Sequence, residues 1–415
     1  MGNQIYTKPR GTVDFMGDSA SRYLDMVSTL SQMAEEYGAK AIITPTFEET
    51  SLFVRGVGSS SDIVRKQTFD LANKGSAKDY TLRPEFTAGV VRALIENKIY
   101  AVPDTPIRYY YYGSVFRYER PGTGRLREFR QFGVEFFDKN LDFNAQAEVI
   151  LLAYRGAKKI LGRDLMVTLN YLGGDQARAN YRKALTDYFG QYVENMCEDC
   201  KDRFKLNPLR ILDCKVEADQ ELVKDAPKIE DYLSEEDKQE FASILNILKE
   251  LNIPYQVSDR MVRGLDYYTG TVFEIEDASH SELGALGGGG KYSGLVEQLG
   301  GPALEGIGFS YGIDRLLSAS IDSFAGKHVF PEYFVLPMGK EKECQEKASI
   351  IAEKLREKGH SAVIPSLSKS IGGAFKMADR LKASKVLLVN SDLTLEVKDM
   401  EKREQTKVEE EELLK

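Results

Sequence analysis

The chain has 415 residues, enough at about 150 residues per domain for two or three domains. Hydrophobic residues make up 42% and charged residues 29%, with 22 Tyr and 20 Phe, a composition that excludes a largely disordered protein. The longest uninterrupted apolar run, Val149 to Tyr154, is far shorter than the roughly 18 residues of a membrane span. The first residues lack the apolar stretch of a secretory signal, so the expected location is cytoplasmic and no membrane partner is expected. The net charge of −8 argues against a general nucleic-acid coat, but charge is segmented along the chain. Residues 215–250 carry 11 acidic against 5 basic groups, whereas residues 340–385 carry 11 basic against 6 acidic.

Taken in chain order, Ser19 to Tyr37 carries Leu24, Val27, Leu30 and Ala34 at helical spacing, starts at a possible Ser cap and stops at Gly38. Ala41 to Thr44 runs into Pro45 and reads as a strand end or edge. Ile107–Phe116 and Arg130–Phe137 are rich in Tyr, Phe and Val and predict two strands joined by a long hairpin loop. Arg178 to Leu251 interrupts this pattern with helical, acidic, Cys-containing sequence and reads as an insertion. Tyr267–Ile275 predicts a strand, Gly284–Gly294 a loop, and Gly306–Ser310 a strand feeding a helix near Gly312. After His328 an alternating β/α rhythm begins: strand Tyr333–Leu336, helix Glu341–Lys358 with Cys344, Ala348, Ile351 and Leu355 on one face, strand Ala362–Ile364, helix Lys369–Lys382 and strand Lys385–Val389. The expected fold is therefore α+β, an antiparallel sheet with flanking helices over residues 1–325, interrupted by a helical insertion at 178–252. A small α/β domain with a largely parallel core follows over 328–415.

The common nucleotide motifs fail. Ala285 to Tyr292 imitates a phosphate-binding loop, but Ala285 replaces the first Gly and Tyr292 the Mg²⁺-binding hydroxyl residue. Gly306-x-Gly308 is followed by Gly312, one residue too late for a dinucleotide fingerprint. Cys197-x-x-Cys200, with Cys214 as a possible third ligand, is the one metal-like spacing. None of His280, His328 and His360 lies near it in sequence, so idle thiols are the default and no metal is expected among the protein's side chains.

Arginine stands out instead. Arg117, Arg120, Arg125, Arg127 and Arg130 fall within fourteen residues beside only Glu119 and Glu128. Guanidinium groups stay charged and meet phosphate oxygens through paired N–H donors, so such a hairpin can clamp a triphosphate and an RNA end; solvated surface arginines are the plain alternative. Arg315 lies just after Gly312, at a helix start whose field favours an anion. Gln131 and Glu135 are four apart on a predicted strand and share a face, with Glu85 a further polar candidate. Arg263-Gly264-Leu265-Asp266-Tyr267-Tyr268 joins a cation, a carboxylate and two phenols next to glycine, an unusual package for a core.

Together these segments resemble the histidyl-tRNA synthetases, a family of class II aminoacyl-tRNA synthetases. Phe116–Arg120, the loop through Arg125 and Phe129–Glu135 resemble class II motif 2, Gly306–Leu317 resembles motif 3, and Tyr37–Phe53 around Pro45 resembles motif 1. Arg263–Glu274 and Gly289–Leu295 are similar to the two blocks particular to the histidine enzymes. The resemblance implies a C-terminal anticodon-binding domain, a homodimer, ATP with Mg²⁺, and two substrates, L-histidine and tRNA(His). It implies that Arg117 holds the α-phosphate and carboxylate, that Arg263 is a fixed cation at the same developing charge, and that Arg125 and Arg315 hold the outer phosphates. Glu85, Thr87 and Gln131 would receive the α-ammonium group, with Gln131 also at the catalytic centre; Glu135, Leu265, Tyr268 and Tyr292 would surround the imidazole. Glu119 would face adenine and Arg127 the acceptor end of tRNA. Asp314, Lys291 and Ser293 depart from the family's usual Glu, Arg and Asp. A non-catalytic histidine sensor is the alternative of another class; the retained Arg117, Arg263 and Arg315 argue against it.

Overall fold

The computed structural model of the chain describes residues 6–58, 61–73, 75, 77–101, 105–264, 267–326, 330–366 and 369–414. The chain divides into two units, Met1–Gly326 and Lys327–Lys415. Strands of the first are β1 (Lys40–Ala41), β2 (Phe47–Glu49), β3 (Phe69–Asp70), β4 (Tyr80–Leu82), β5 (Ile107–Phe116), β6 (Glu128–Asp138), β7 (Met166–Tyr171), β8 (Tyr255–Val257), β9 (Tyr268–Glu276), β10 (Gly287–Tyr292) and β11 (Glu305–Gly312). Those of the second are β12 (Tyr333–Pro337), β13 (Ala362–Val363), β14 (Lys385–Val389), β15 (Leu395–Asp399) and β16 (Gln405–Val408).

The large sheet runs β1-β5-β6-β11-β10-β9-β7-β8. It is antiparallel except where β1 meets β5 and β7 meets β8 at its edges. Alternation along β6 makes the two faces different, because successive side chains point to opposite sides. Phe132, Val134 and Phe136 enter the main core with the helices Asp18–Glu36 and Phe143–Leu161. Gln131 and Glu135 line a cavity on the other face. The 143–161 helix is fixed at both ends: the Asp142 carboxylate accepts from the Asn144 and Ala145 N–H groups, and Gly162 ends it with φ 68°.

Three sequence expectations are corrected. Helix Asp18–Glu36 buries Met26, Val27, Leu30, Met33 and Ala34, while Leu24 is 64% exposed; six residues before Leu30, it sits about 120° round the helix from the centre of that stripe. Ser19 does not cap this helix. Gly17 is the N-cap residue, and the Ser19 hydroxyl bonds the Met16 backbone instead. Gly284–Gly294 is not one loop, since Gly287–Tyr292 is strand β10, paired with β9 and β11. A Cβ at Gly288 would stand 2.5 Å from the Phe273 carbonyl oxygen and one at Gly287 2.7 Å from that of Ser310, so the glycines are required by the closeness of the neighbouring strands.

The helical stretch between β7 and β8 has a core of its own, including Tyr181, Leu185, Phe189, Cys200, Ile211, Val223 and Ile229. Its last helix, Glu235–Glu250, starts at a Ser234–Asp237 capping box and sends Ile244 and Leu248 into the main core instead. In the second unit β12 pairs in parallel with β13 and β14, and β15 and β16 extend the sheet antiparallel. Helix Lys342–Glu357 buries Cys344, Ala348, Ile351 and Leu355 on one side of this sheet, with Val335 and Leu387. Helix Ile371–Arg380 covers Phe334 and Val386 on the other. Among the described residues no helix is long and apolar enough to cross a membrane.

Candidate active site

A cavity of about 530 Å³ opens on the face of the large sheet away from the 143–161 helix. Eleven residues singled out from the sequence line it together: Glu85, Thr87, Arg117, Glu119, Arg125, Gln131, Glu135, Arg263, Tyr268, Tyr292 and Arg315. Arg127 does not line it, and Leu265 lies outside the described residues.

One end of the cavity is built around Glu135, 2% exposed on β6. One carboxylate oxygen accepts from the Thr87 hydroxyl at 2.7 Å and the Tyr111 hydroxyl at 3.1 Å, and the other from the Tyr292 hydroxyl at 2.8 Å. Burial pushes the Glu135 carboxyl up to about 7 against the pull of these three donors. Burial together with Glu135 raises the hydroxyls of Tyr111 and Tyr292 well above the ordinary phenol range, so both remain donors. Glu85, 4% exposed, accepts from the backbone N–H of Thr87 at 2.5 Å and of Ala88 at 3.0 Å, at the start of helix Thr87–Glu96. Burial raises its carboxyl as well. Two carboxylates, a threonine hydroxyl and two phenols therefore meet at a buried, polar end that suits a small cationic or hydrogen-bonding ligand.

Three arginines supply the opposite character. Arg117 donates Nε–H to the Pro84 carbonyl at 3.0 Å and stacks over Phe129 at 5.2 Å; burial lowers its pKa. Burial also opposes the Arg263 charge, but Glu274, Tyr268 and Tyr267 outweigh it and raise that pKa. Arg263 pairs directly with Glu274, and its Nε–H is buried without a protein acceptor among the described residues. Arg315 donates to the Gly124 carbonyl at 2.9 Å and the Ala285 carbonyl at 2.6 Å, which ties the β5–β6 loop down over the cavity. Arg127 stacks on Tyr118 at 4.1 Å and donates to the Glu119 carbonyl at 3.2 Å, holding the outer part of that loop.

The histidyl-tRNA synthetase family model matches residues 11–316, and an anticodon-binding domain model matches residues 332–415. The chain is 42% identical over 414 residues to the histidine–tRNA ligase of Bacillus velezensis, covering 97% of this chain and 96% of that protein. It is 41% identical to that of Bacillus subtilis over the same shares of both chains. The chain belongs to the histidyl-tRNA synthetase family. An apo histidyl-tRNA synthetase of S. aureus has the same fold, with a TM-score of 0.81, 31% identity and 99% of each chain covered.

Asp314, Lys291 and Ser293 each hold neighbouring elements together. Asp314 accepts from the Arg130 backbone N–H at 2.6 Å and pairs with its guanidinium at 3.2 Å, fixing the start of β6 to helix Ile313–Ala319. Lys291 donates to the Leu141 carbonyl and pairs with Glu305, each at 3.0 Å. Ser293 bonds Glu305 at 3.3 Å. Neither Lys291 nor Ser293 lines the cavity.

Two residues that line the cavity were given no role in the sequence reading, Tyr111 and, at the end of the Arg263–Glu274 block, Glu274, and glycines make room for both ends of the site. Tyr111 lies across from Gly133 and Glu274 across from Gly288. A Cβ at Gly308 would overlap the Glu135 carboxylate, one at Gly306 the Tyr292 ring and one at Gly133 the Tyr111 hydroxyl. A Cβ at Gly288 would stand 3.0 Å from the Arg263 guanidinium.

Proposed function

We propose that this chain is a histidine–tRNA ligase, which joins L-histidine to ATP as histidyl-adenylate, releasing pyrophosphate, and then transfers the histidyl group to the 3′ end of tRNA(His). The observation that carries this reading is the buried Glu135 with its three hydroxyl donors, in one cavity with Arg117, Arg263 and Arg315. An imidazole offers one or two N–H groups in a plane, and a carboxylate held among phenols can receive them. Such a pocket leaves buried polar groups unpaired against any apolar side chain, which discriminates strongly without editing. Glu85, Thr87 and Gln131 receive the α-ammonium group, Tyr268 and Tyr292 flank the ring, and Gln131 positions the histidine carboxylate beside the reacting phosphorus.

When that carboxylate attacks the α-phosphorus, negative charge builds on the phosphoryl oxygens, and Arg117 and Arg263 stand as preorganised cations there. Arg125 and Arg315 hold the outer phosphates, Arg315 already fixed by two carbonyls. Glu119 faces the adenine. Mg²⁺ favours phosphate oxygens with one or two carboxylates; Glu274 is a cavity carboxylate that would fit it, and the bound ion would neutralise phosphate charge. Arg127, on the loop outside the cavity, faces the acceptor end of tRNA, and the basic stretch 340–385 of the second unit meets the anticodon. The site of action is the cytoplasm.

The test is ATP–pyrophosphate exchange with each of the twenty amino acids, without tRNA. Exchange with histidine alone is expected; no exchange with histidine still bound would put a sensor role in its place. We also propose a homodimer through the motif 1 region, where Ile43 is 92% and Phe47 50% exposed and β1 is an open sheet edge. Light scattering is expected to give twice the chain mass, and Ile43→Asp to give monomer; a wild-type monomer at micromolar concentration would reject it.

A further inference from the structure

The helical stretch between β7 and β8 gathers three of the four cysteines with one acid. Cys197 is the N-cap residue of helix Glu198–Leu206 and Cys200 its third residue, so the C-x-x-C spacing turns both sulfurs to one helix start. Cys214 follows the short 3₁₀ helix Pro208–Asp213, and Asp219 lies in the first turn of helix Glu217–Lys224. One ligand atom from each of these four residues lies within 4.8 Å of every other. The Cys197 and Cys214 sulfurs are 3.9 Å apart, and the Cys214 sulfur is 3.2 Å from Asp219 Oδ2. A tetrahedral ion with bonds of about 2.3 Å to sulfur and about 2.1 Å to oxygen sets these edges at roughly 3.8 and 3.6 Å.

Cys200 is 0%, Cys214 4% and Asp219 1% exposed, and all the cysteines are free thiols. Among the described residues Asp219 forms no ion pair; its neighbours are two backbone-directed contacts from the Cys197 N–H at 3.3 Å and the thiols themselves. A buried carboxylate calls for a cation, and thiols, being weak donors, do not supply one. The backbone N–H of Val216 points at the Cys214 sulfur at 3.4 Å, an arrangement that favours a thiolate.

We propose that Cys197, Cys200, Cys214 and Asp219 form a structural zinc site. Three soft sulfur donors and one oxygen select zinc over magnesium or calcium. All four positions are filled by protein, and none of the four residues lines the catalytic cavity, so the ion has no open position for chemistry. Its work is to staple three short elements around a small core, adding metal-binding energy to folding where burial alone is modest.

The experiment is elemental analysis of full-length protein purified with a thiol reductant and washed with a chelator. About one zinc per chain is expected. Cys200→Ser and Cys214→Ser are expected to lose it, and Cys344→Ser, which alters the buried thiol of the second unit, to keep it. Because the two serine variants could fail to fold, wild-type protein stripped of metal is also titrated with Co²⁺. Thiolate-to-cobalt charge-transfer bands with the intense visible bands of a tetrahedral ion are expected, bleached by Zn²⁺. Folded wild-type protein free of zinc and silent to Co²⁺, or a Cys197–Cys214 disulfide in its place, would overturn the proposal, as would equal zinc loss in Cys344→Ser.

Discussion

Arg263→Ala is expected to slow histidyl-adenylate formation roughly 10²–10³-fold, the usual cost of removing one preorganised group from a developing negative charge. A guanidinium stays charged in proteins, and here Glu274 and two phenols favour that charge more than desolvation opposes it. A cation on the wall of a cavity that substrate fills acts on phosphoryl oxygens with less screening than in open water. The substitution also leaves Glu274 without its ion-pair partner, so single-turnover kinetics and thermal melting are measured together on Arg263→Ala, Glu274→Ala and the double variant. The double variant is expected to melt close to wild type and to stay slow. Recovery of the rate in the double variant would mean that an uncompensated Glu274, and not a missing cation, caused the defect.

Glu135→Gln is expected to raise the histidine KM roughly 10–10²-fold, the scale of losing a hydrogen-bonded charge, while the ATP KM moves less than about twofold. Three hydroxyls donate to this carboxylate, and a glutamine amide presents an NH₂ to at least one of them, so that hydroxyl loses its acceptor. Equal losses for both substrates would mean a general collapse of the cavity. The same variant has a signature in pH. Without histidine, the wild-type carboxyl titrates at about 7 in the fold against 4.5 in an open chain. A raised folded value means that its contribution to stability is full below about 4.5 and is lost as pH rises through about 7. The melting temperature of Glu135→Gln is therefore expected to fall less than that of wild type across this interval; parallel curves would remove Glu135 as the titrating group.

Much of this architecture was legible because periodicity reports burial. The aromatic strands β5 and β6 declare themselves, and the four-residue step from Gln131 to Glu135 places both in the cavity. Tyr111 was not legible. It sits in the run Tyr109–Tyr112, where every position carries the same side chain; Tyr110 enters the main core, and pairing with Gly133 puts Tyr111 on the cavity face. Glu274 was hidden in the same way, since its partner Arg263 is eleven residues away and the contact depends on the course of the chain before β9. The glycine run of β10 has no side-chain pattern at all; its strand state follows from β9 and β11 on either side. Strands β15 and β16 read as Leu-Glu-Val-Lys-Asp and Gln-Thr-Lys-Val, half-exposed and exposed respectively and too polar to signal a core. Asp219 was one of eleven acids between residues 215 and 250, with nothing in its spacing to separate it from a solvated face.

The bare floor of the cavity limits how such an enzyme can be re-engineered. Every coding change at Gly306 or Gly308 adds at least a Cβ, and that atom collides with Tyr292 or with Glu135 and the Val134 carbonyl. A mutant library aimed at a new amino acid therefore gains nothing from these two positions. Diversity belongs on the groups that rise from β6 and β9, at Gln131, Glu135 and Tyr268. With histidine placed as proposed, analogues enlarged toward Gly308 have nowhere to go, whereas those enlarged toward Tyr268 meet a side chain that can be shortened.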